Sequence, residues 1–338
     1  MAASTDWKFP LDDAAIAEIE TALDGVMHRG LDWREIGRAD FPLPTVSGLL
    51  DEIAEHLEHG PGLAKLTGLE IDRYSEAERR ALFFGLGQNL GTPVSMSKDG
   101  MMMSEVTDEG AAAADRYGAL QSDDGDGDES FLSSRARVHS TGRLRYHTDR
   151  ADVVALLCVA KAKQGGVNKL ASVPRVHNEM LARRPDLLEF LFQDYYRSRL
   201  GEEFGDNASW YAVPVFALRD GHFTTHYSRT YIEAAQLNDE VPKMAQEHWQ
   251  AIELMAEIAE EVAFETCQAP GEIQLLNSHV TFHARTAYED HPEPERRRLL
   301  YRLWLSMANS RPLPESFAVL FRDVRPGAVR GGILPASA

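Results

Sequence analysis

Three short apolar runs set the limits on how this chain can fold: Asp152 to Ala160, Glu272 to Leu276 and Leu299 to Met307. Each is rich in Val, Ile or Leu and reads as a strand, the first of them buried. The intervening and preceding chain reads as helical. Leu11 to Gly30 carries Ile16, Ile19, Leu23 and Val26 at helical spacing, and Leu49, Leu50, Ile53 and Leu57 repeat the pattern. Ser75-Glu76-Ala77-Glu78 has capping-box form and predicts a third helix start. Further helices are expected over Pro174 to Arg184, Pro185 to Gln193 and Val241 to about Cys267, and a short strand at Leu69-Glu70-Ile71. Strands that enclose a core, with helices before and between them, define an α+β protein around an antiparallel sheet system. No internal repeat and no long linker interrupts the 338 residues, so residues 1–338 are read as one domain, with 1–67 mainly helical.

The net charge of −18 argues against a nucleic-acid or membrane-surface binder. Cys158 and Cys267 form neither a disulfide framework nor a metal-ligand spacing, and no stretch of about 18 apolar residues or leader pattern occurs. A cytoplasmic, soluble protein is the expectation, and self-association into a homo-oligomer is left open. Residues 104 to 130 hold nine acids against one arginine and are read as a flexible loop. Its aspartates do not make a calcium loop: counted from Asp124, the sixth position lacks glycine, and Arg135 stands where the closing glutamate belongs. Without that segment the charge is −10, from −18 less the −8 of nine acids and one arginine.

Chemistry concentrates in three places. In Tyr146-His147-Thr148-Asp149, the alternation of an extended chain would bring His147 and Asp149 to one side. One imidazole and one carboxylate are two-thirds of a facial triad for non-haem Fe(II), although a hydrogen-bonded surface pair would look the same. A third ligand can come from Asn277 to Thr286, where His279 and His283 share a face if the segment is extended. A helical zinc pair suits Val280, Thr281 and Phe282 less well. In the last strand Arg298, Leu300, Arg302 and Trp304 face one way, and Leu299, Tyr301, Leu303 and Leu305 the other. Buried arginines need anionic partners, either a bound carboxylate or a structural acid.

His-x-Asp, a long insertion, His, and then Arg on a strand, taken in that order, resemble the Fe(II)/2-oxoglutarate dioxygenases of the taurine dioxygenase (TauD/TfdA) family. The resemblance runs from about Gly68 to Leu305. It includes Phe84 to Pro93, Tyr146 to Asp149, Lys163-Gln164-Gly165-Gly166, His283 to Asp290 and Arg298 to Leu305. It implies a double-stranded β-helix (jelly-roll, cupin-like) core with N-terminal and inserted helices. By position it places the iron ligands on His147, Asp149 and His283, choosing His283 over His279. It places the clamp for the distal carboxylate of 2-oxoglutarate on Arg298, and an anionic-substrate contact on Arg302. Tyr146 is assigned to the substrate side. The family's Thr or Ser after the Gly-Gly pair is here Asn168, whose amide can still donate a hydrogen bond, with Ser172 as a substitute.

The implied cofactors are Fe(2+), 2-oxoglutarate as co-substrate and O2, with succinate and CO2 as products. The implied reaction is hydroxylation of a C–H bond of a small anionic molecule such as an amino acid or organic acid. Asp149 argues against halogenation, while desaturation, cyclisation and demethylation remain alternatives. Two competing classes are a cupin-type metalloenzyme that does not use 2-oxoglutarate and a non-catalytic small-molecule binder. The acidic segment is a candidate lid. Arg143, Arg145, Arg150, Arg298 and Arg302 are expected to make the pocket cationic. Met96, Met101, Met102 and Met103 are read as core, with pocket lining as the alternative.

Overall fold

The computed structural model describes residues 6–110, 119–120, 131–132, 134–199 and 209–334. All three apolar runs are strands of one seven-stranded sheet: Val153–Ala160, Ile273–Asn277 and Leu299–Ser306. Val153–Ala160 lies in the middle, antiparallel to both of the others. Leu63–Thr67 and Lys8–Pro10 extend one edge, while Thr92–Val94 and Ser104–Val106 pair with Leu299–Ser306 at the other. A four-stranded antiparallel sheet faces it, in the order Phe264–Thr266, Asn168–Ser172, Thr281–Arg285 and Leu144–His147. The two sheets form the jelly-roll core.

Side-chain alternation sorts the layers. Tyr301, Leu303 and Leu305 point out of the large sheet into a cluster with Ile19, Leu23, Leu50, Ile53, Phe83 and Phe84. Those residues belong to helices Asp13–Arg29, Val46–His59 and Glu76–Leu90. The last begins at the expected capping box, with Ser75 and Glu78 exchanging side-chain to backbone hydrogen bonds. Ala171, Phe282 and Ala284 of the small sheet pack outward on helices Val173–Arg183, Pro185–Leu191 and Gln246–Val262. Val154, Leu276 and Trp304 lie between the sheets.

Several expectations are corrected. The short strand falls at Leu63–Thr67, where four successive residues are buried, whereas Ile71–Arg73 is a 3-10 turn. The long helix spans only Gln246–Val262. Its expected end, Phe264–Thr266, is extended and pairs with Asn168–Leu170, an option open only once that strand exists. The acidic segment begins with a strand, Ser104–Val106, so the loop reading fails there. Most of residues 107–130, including Asp124, lies outside the described residues, as does any lid role. The core reading holds for Met96 and Met103, with Met96 also lining the cavity described below and Met102 packed against the core, but not for exposed Met101.

Candidate active site

His147 closes the strand Leu144–His147 and His283 sits in Thr281–Arg285. They are direct cross-strand partners, with rings 4.1 Å apart. The register between these strands slips: Leu144 to His147 spans three residues where Arg285 to His283 spans two. This β-bulge lets Leu144 and His147 both face inward while Tyr146 turns outward. Asp149 lies two residues past the strand end, in irregular chain, with Oδ2 3.6 Å from His283 Nε2. Asp149 thus meets His147 on the side that alternation predicts, but from irregular chain just past the strand end. Ligand atoms of His147, Asp149 and His283 all lie within 4.8 Å of one another.

The donor set suits a divalent metal. His147 Nδ1 is 2.9 Å from the Arg145 carbonyl, so its N–H donates there and the Nε2 lone pair remains available. Asp149 Oδ2 and His283 Nδ1 are buried without a hydrogen-bond partner, an uncommon state for interior polar atoms. Burial, then the neighbouring His147, drives His283 down to about 3; burial likewise lowers His147. Burial alone would raise Asp149, but His283, Arg302 and His147 outweigh it and hold the carboxyl below its ordinary range. Two neutral imidazoles and one carboxylate are the ligand set of a non-haem Fe(II) facial triad.

A cavity runs inward from this triad, lined by Leu156, Asn168, Arg298, Leu300 and Arg302 together with His147, Asp149 and His283. Arg298 is 5 % exposed and its Nη1 has no hydrogen-bond partner. Among the described residues it makes no ion pair. The contrast with Arg285 is informative, since both guanidinium groups lie over the Tyr288 ring, at 5.2 and 4.7 Å. Arg285 donates to the carbonyls of Arg137, Val138, Ser140 and Gly142 and is thereby occupied. The Gly-Gly pair makes room for this platform. Gly165 has φ +76°, and a Cβ there would meet the Ala287 carbonyl oxygen at 2.3 Å. Asn168 reaches the cavity wall, but its amide donates to Gln268 and Gln274, which occupies the donor expected to meet a co-substrate.

On the outer side, a second cavity shares His147, Asp149 and Arg302 and is lined further by Met96, Arg150, His226 and Trp304. Arg302 Nε donates to Ser104 Oγ at 3.1 Å. Tyr146 is not brought here. It lies against the outer helices, where its hydroxyl donates to Glu260 at 3.0 Å, and burial beside that carboxylate pushes its pKa up. Arg145 is also directed elsewhere, paired with Glu233 at 2.8 Å, and Arg143 is exposed, so of the five expected arginines Arg150, Arg298 and Arg302 line the cavities, joined by Arg285.

His279 does not share His283's face. It lies in the turn before that strand, its Nε2–H donating to Asp152 at 2.9 Å and its Nδ1 facing the Thr224 hydroxyl. Trp304 was legible in the strand alternation. Tyr211, His226 and Tyr231, from a region without a motif, were not.

Fold and donor set together define a non-haem Fe(II)/2-oxoglutarate-dependent dioxygenase, an oxidoreductase using Fe(II), 2-oxoglutarate and O2. The family model for taurine catabolism dioxygenase TauD, TfdA family, matches residues 28–304, and the chain belongs to that family. It is 29 % identical over 323 residues to FR-33289 synthase of Streptomyces rubellomurinus, across 93 % of this chain and 89 % of that protein. A taurine hydroxylase-like protein of Stachybotrys chartarum is 26 % identical over 302 residues, across 88 % and 74 %. Similar solved structures include asparagine oxygenase with Fe(II), 3-hydroxyasparagine and succinate, at TM-score 0.64 and 17 % identity, covering 89 % of this chain and 93 % of that one. The non-heme iron oxygenase OrfP with Fe and alpha-ketoglutaric acid has TM-score 0.63 and 12 % identity, covering 88 % and 93 %.

Proposed function

We propose that this dioxygenase hydroxylates an unactivated C–H bond of a small anionic molecule, such as an amino acid or organic acid, while 2-oxoglutarate is decarboxylated to succinate and CO2. The observation that carries the reading is the buried guanidinium of Arg298, without an ion-pair partner among the described residues, in the same cavity as the His147, Asp149 and His283 triad. In this reading His147, Asp149 and His283 hold Fe(II), which when bound supplies the redox chemistry that couples O2 to substrate oxidation. Arg298 takes the distal carboxylate of 2-oxoglutarate through parallel N–H donors, and the Tyr288 ring keeps the guanidinium plane in place. Leu156 and Leu300 give this chamber apolar walls that restrict water. Arg302, shared by both cavities, meets an anionic group of the substrate.

Two solved relatives of similar fold are crystallised with hydroxylated asparagine or hydroxylated arginine, which supports a small amino-acid-like substrate. The test is anaerobic Fe(II) and 2-oxoglutarate binding, followed by a succinate-release screen over amino acids, small organic acids and sulfonates. Substrate-dependent succinate formation that disappears in His283→Ala is the expected result. Fe(II) binding unchanged in His283→Ala would overturn the ligand assignment.

A further inference from the structure

The turn that carries Asp149 has no ladder of its own to hold it. Residues 148–152 are irregular chain between two strands, one in each sheet, so their position must be set by whatever packs on them. On one side, Thr148 exchanges two hydrogen bonds with the backbone of Tyr227, at 2.9 and 3.0 Å. The other side is held by the end of the chain. The Gly332 N–H donates to the Arg150 carbonyl at 2.7 Å, and Arg330 Nε donates to Asp152 Oδ1 at 2.8 Å.

Asp152 is the hub of this arrangement. Its carboxylate also accepts from His279 Nε2 and from the Met307 N–H, each at 2.9 Å, and its carbonyl accepts from the Ser278 N–H at 2.9 Å. One buried carboxylate thus ties the Asp149 turn to the segment leading into His283, to the end of the last core strand and to the C-terminal segment. Arg330 is fully buried and Asp152 is 2 % exposed, so neither charge is screened by water.

The sequence Arg330-Gly331-Gly332 is shaped for this position. Both glycines have left-handed backbone, with φ of +76° and +67°. A Cβ on Gly331 would lie 2.8 Å from the Arg150 carbonyl oxygen, and one on Gly332 2.7 Å from the Ser95 carbonyl oxygen. The family match ends at residue 304, before this segment begins.

We propose that Arg330-Gly331-Gly332 is a positioning strap for the metal site, with Arg330 as a positioning residue that acts through Asp152 to fix Asp149 against His283. The inference rests on the reading of His147, Asp149 and His283 as the Fe(II) ligands. Its test is Fe(II) affinity, measured by anaerobic equilibrium dialysis of the full chain without substrate. Arg330→Met should weaken Fe(II) binding about 10–100-fold, the range for residues that orient metal ligands. Arg330→Lys, which keeps the charge beside Asp152, should return affinity to within about tenfold of wild type.

The comparison is Lys65→Met, which breaks another ion pair, buried Lys65 with half-buried Glu272 at 2.8 Å, whose ammonium donates to Glu272 and to the Cys267 carbonyl rather than to residues 148–152. It should lower the melting temperature and leave Fe(II) affinity unchanged. Wild-type affinity in Arg330→Met, or equal losses in Arg330→Met and Lys65→Met, would overturn the strap. Should Arg330→Met not fold, Asp152→Asn and Arg330→Lys against Lys65→Met decide by the same measurement. Wild-type protein whose Fe(II) binding ignores His283→Ala would overturn the ligand reading instead, a separate outcome.

Discussion

Replacing Arg298 by methionine isolates the contribution of one guanidinium to co-substrate binding. Methionine fills comparable apolar volume over the Tyr288 ring, so the perturbation removes chiefly charge and donors. Arg298 is 5 % exposed and its Nη1 lacks any hydrogen-bond partner, so that N–H group is open to receive a carboxylate. Two charge-assisted hydrogen bonds at ~1.5–3 kcal/mol each give about 3–6 kcal/mol of binding. At ~1.36 kcal/mol per decade, the 2-oxoglutarate dissociation constant should rise by about two to four orders of magnitude. Fe(II) affinity should stay at the wild-type value, because Arg298 is not among the converging ligand groups. Anaerobic calorimetry of the Fe(II)-loaded protein with 2-oxoglutarate measures the first quantity, and equilibrium dialysis the second. Arg298→Lys should fall between, since an ammonium keeps the charge but loses the fork. A 2-oxoglutarate affinity within about threefold of wild type in Arg298→Met would refute the clamp, being under ~1 kcal/mol.

Tyr146→Phe should cost about 1 kcal/mol of stability through the lost bond to Glu260, visible as a lower urea midpoint. Its kcat/KM should match wild type, and a large loss would mean that Tyr146 does reach the substrate. Gly165→Ala should destabilise by about 1–3 kcal/mol, since it combines a left-handed backbone with a clash on Ala287, and should also raise the KM for 2-oxoglutarate by shifting Tyr288. An unchanged melt and KM would show that the Tyr288 platform does not depend on this close approach.

The buried His226 and His279 carry a pH signature. Burial is the largest cause of both depressions, with Arg197 next for His226, while the bond to Asp152 only partly opposes it for His279. His279 is lowered to about 4 and His226 well below 6.5. The unfolded chain therefore takes up protons below about pH 6.5 that the folded chain refuses, so stability is complete above that pH and falls as pH drops towards 4. Urea midpoints of chelator-treated protein should decline from pH 7 to 4.5, and a flat profile would contradict burial of neutral imidazoles.

Local chemistry and periodicity determined much of this protein. The apolar runs around Val154, Leu275 and Leu303 were legible as strands from their shortness and their Val, Ile and Leu content. The face shared by Leu300, Arg302 and Trp304 followed from the two-residue period of a strand. The helix starting after Ser75 was written in its capping box. The order His-x-Asp, His, Arg identified the family, and with it the three converging groups.

Tertiary structure decided what periodicity could not. Leu144 shares the inward face of His147 because a bulge, visible only in the pairing of two strands distant in sequence, adds one residue between them, whereas Tyr146 faces the outer helices by ordinary alternation with His147. Asp149 lies in irregular chain whose neighbours Thr148, Arg150 and Asp152 are hydrogen-bonded to Tyr227, Gly332 and Arg330, residues far away in sequence. His279 was separated from His283 by a turn that Asp152 and Thr224 hold. Phe264–Thr266 became a strand rather than helix because a free edge was there to pair with. Sequence determines which segments are strands and which side chains carry chemistry, since both depend on neighbours within a few residues. Which face a ligand presents, and what holds it there, depend on contacts between segments more than a hundred positions apart, as between Asp152, His279 and Arg330.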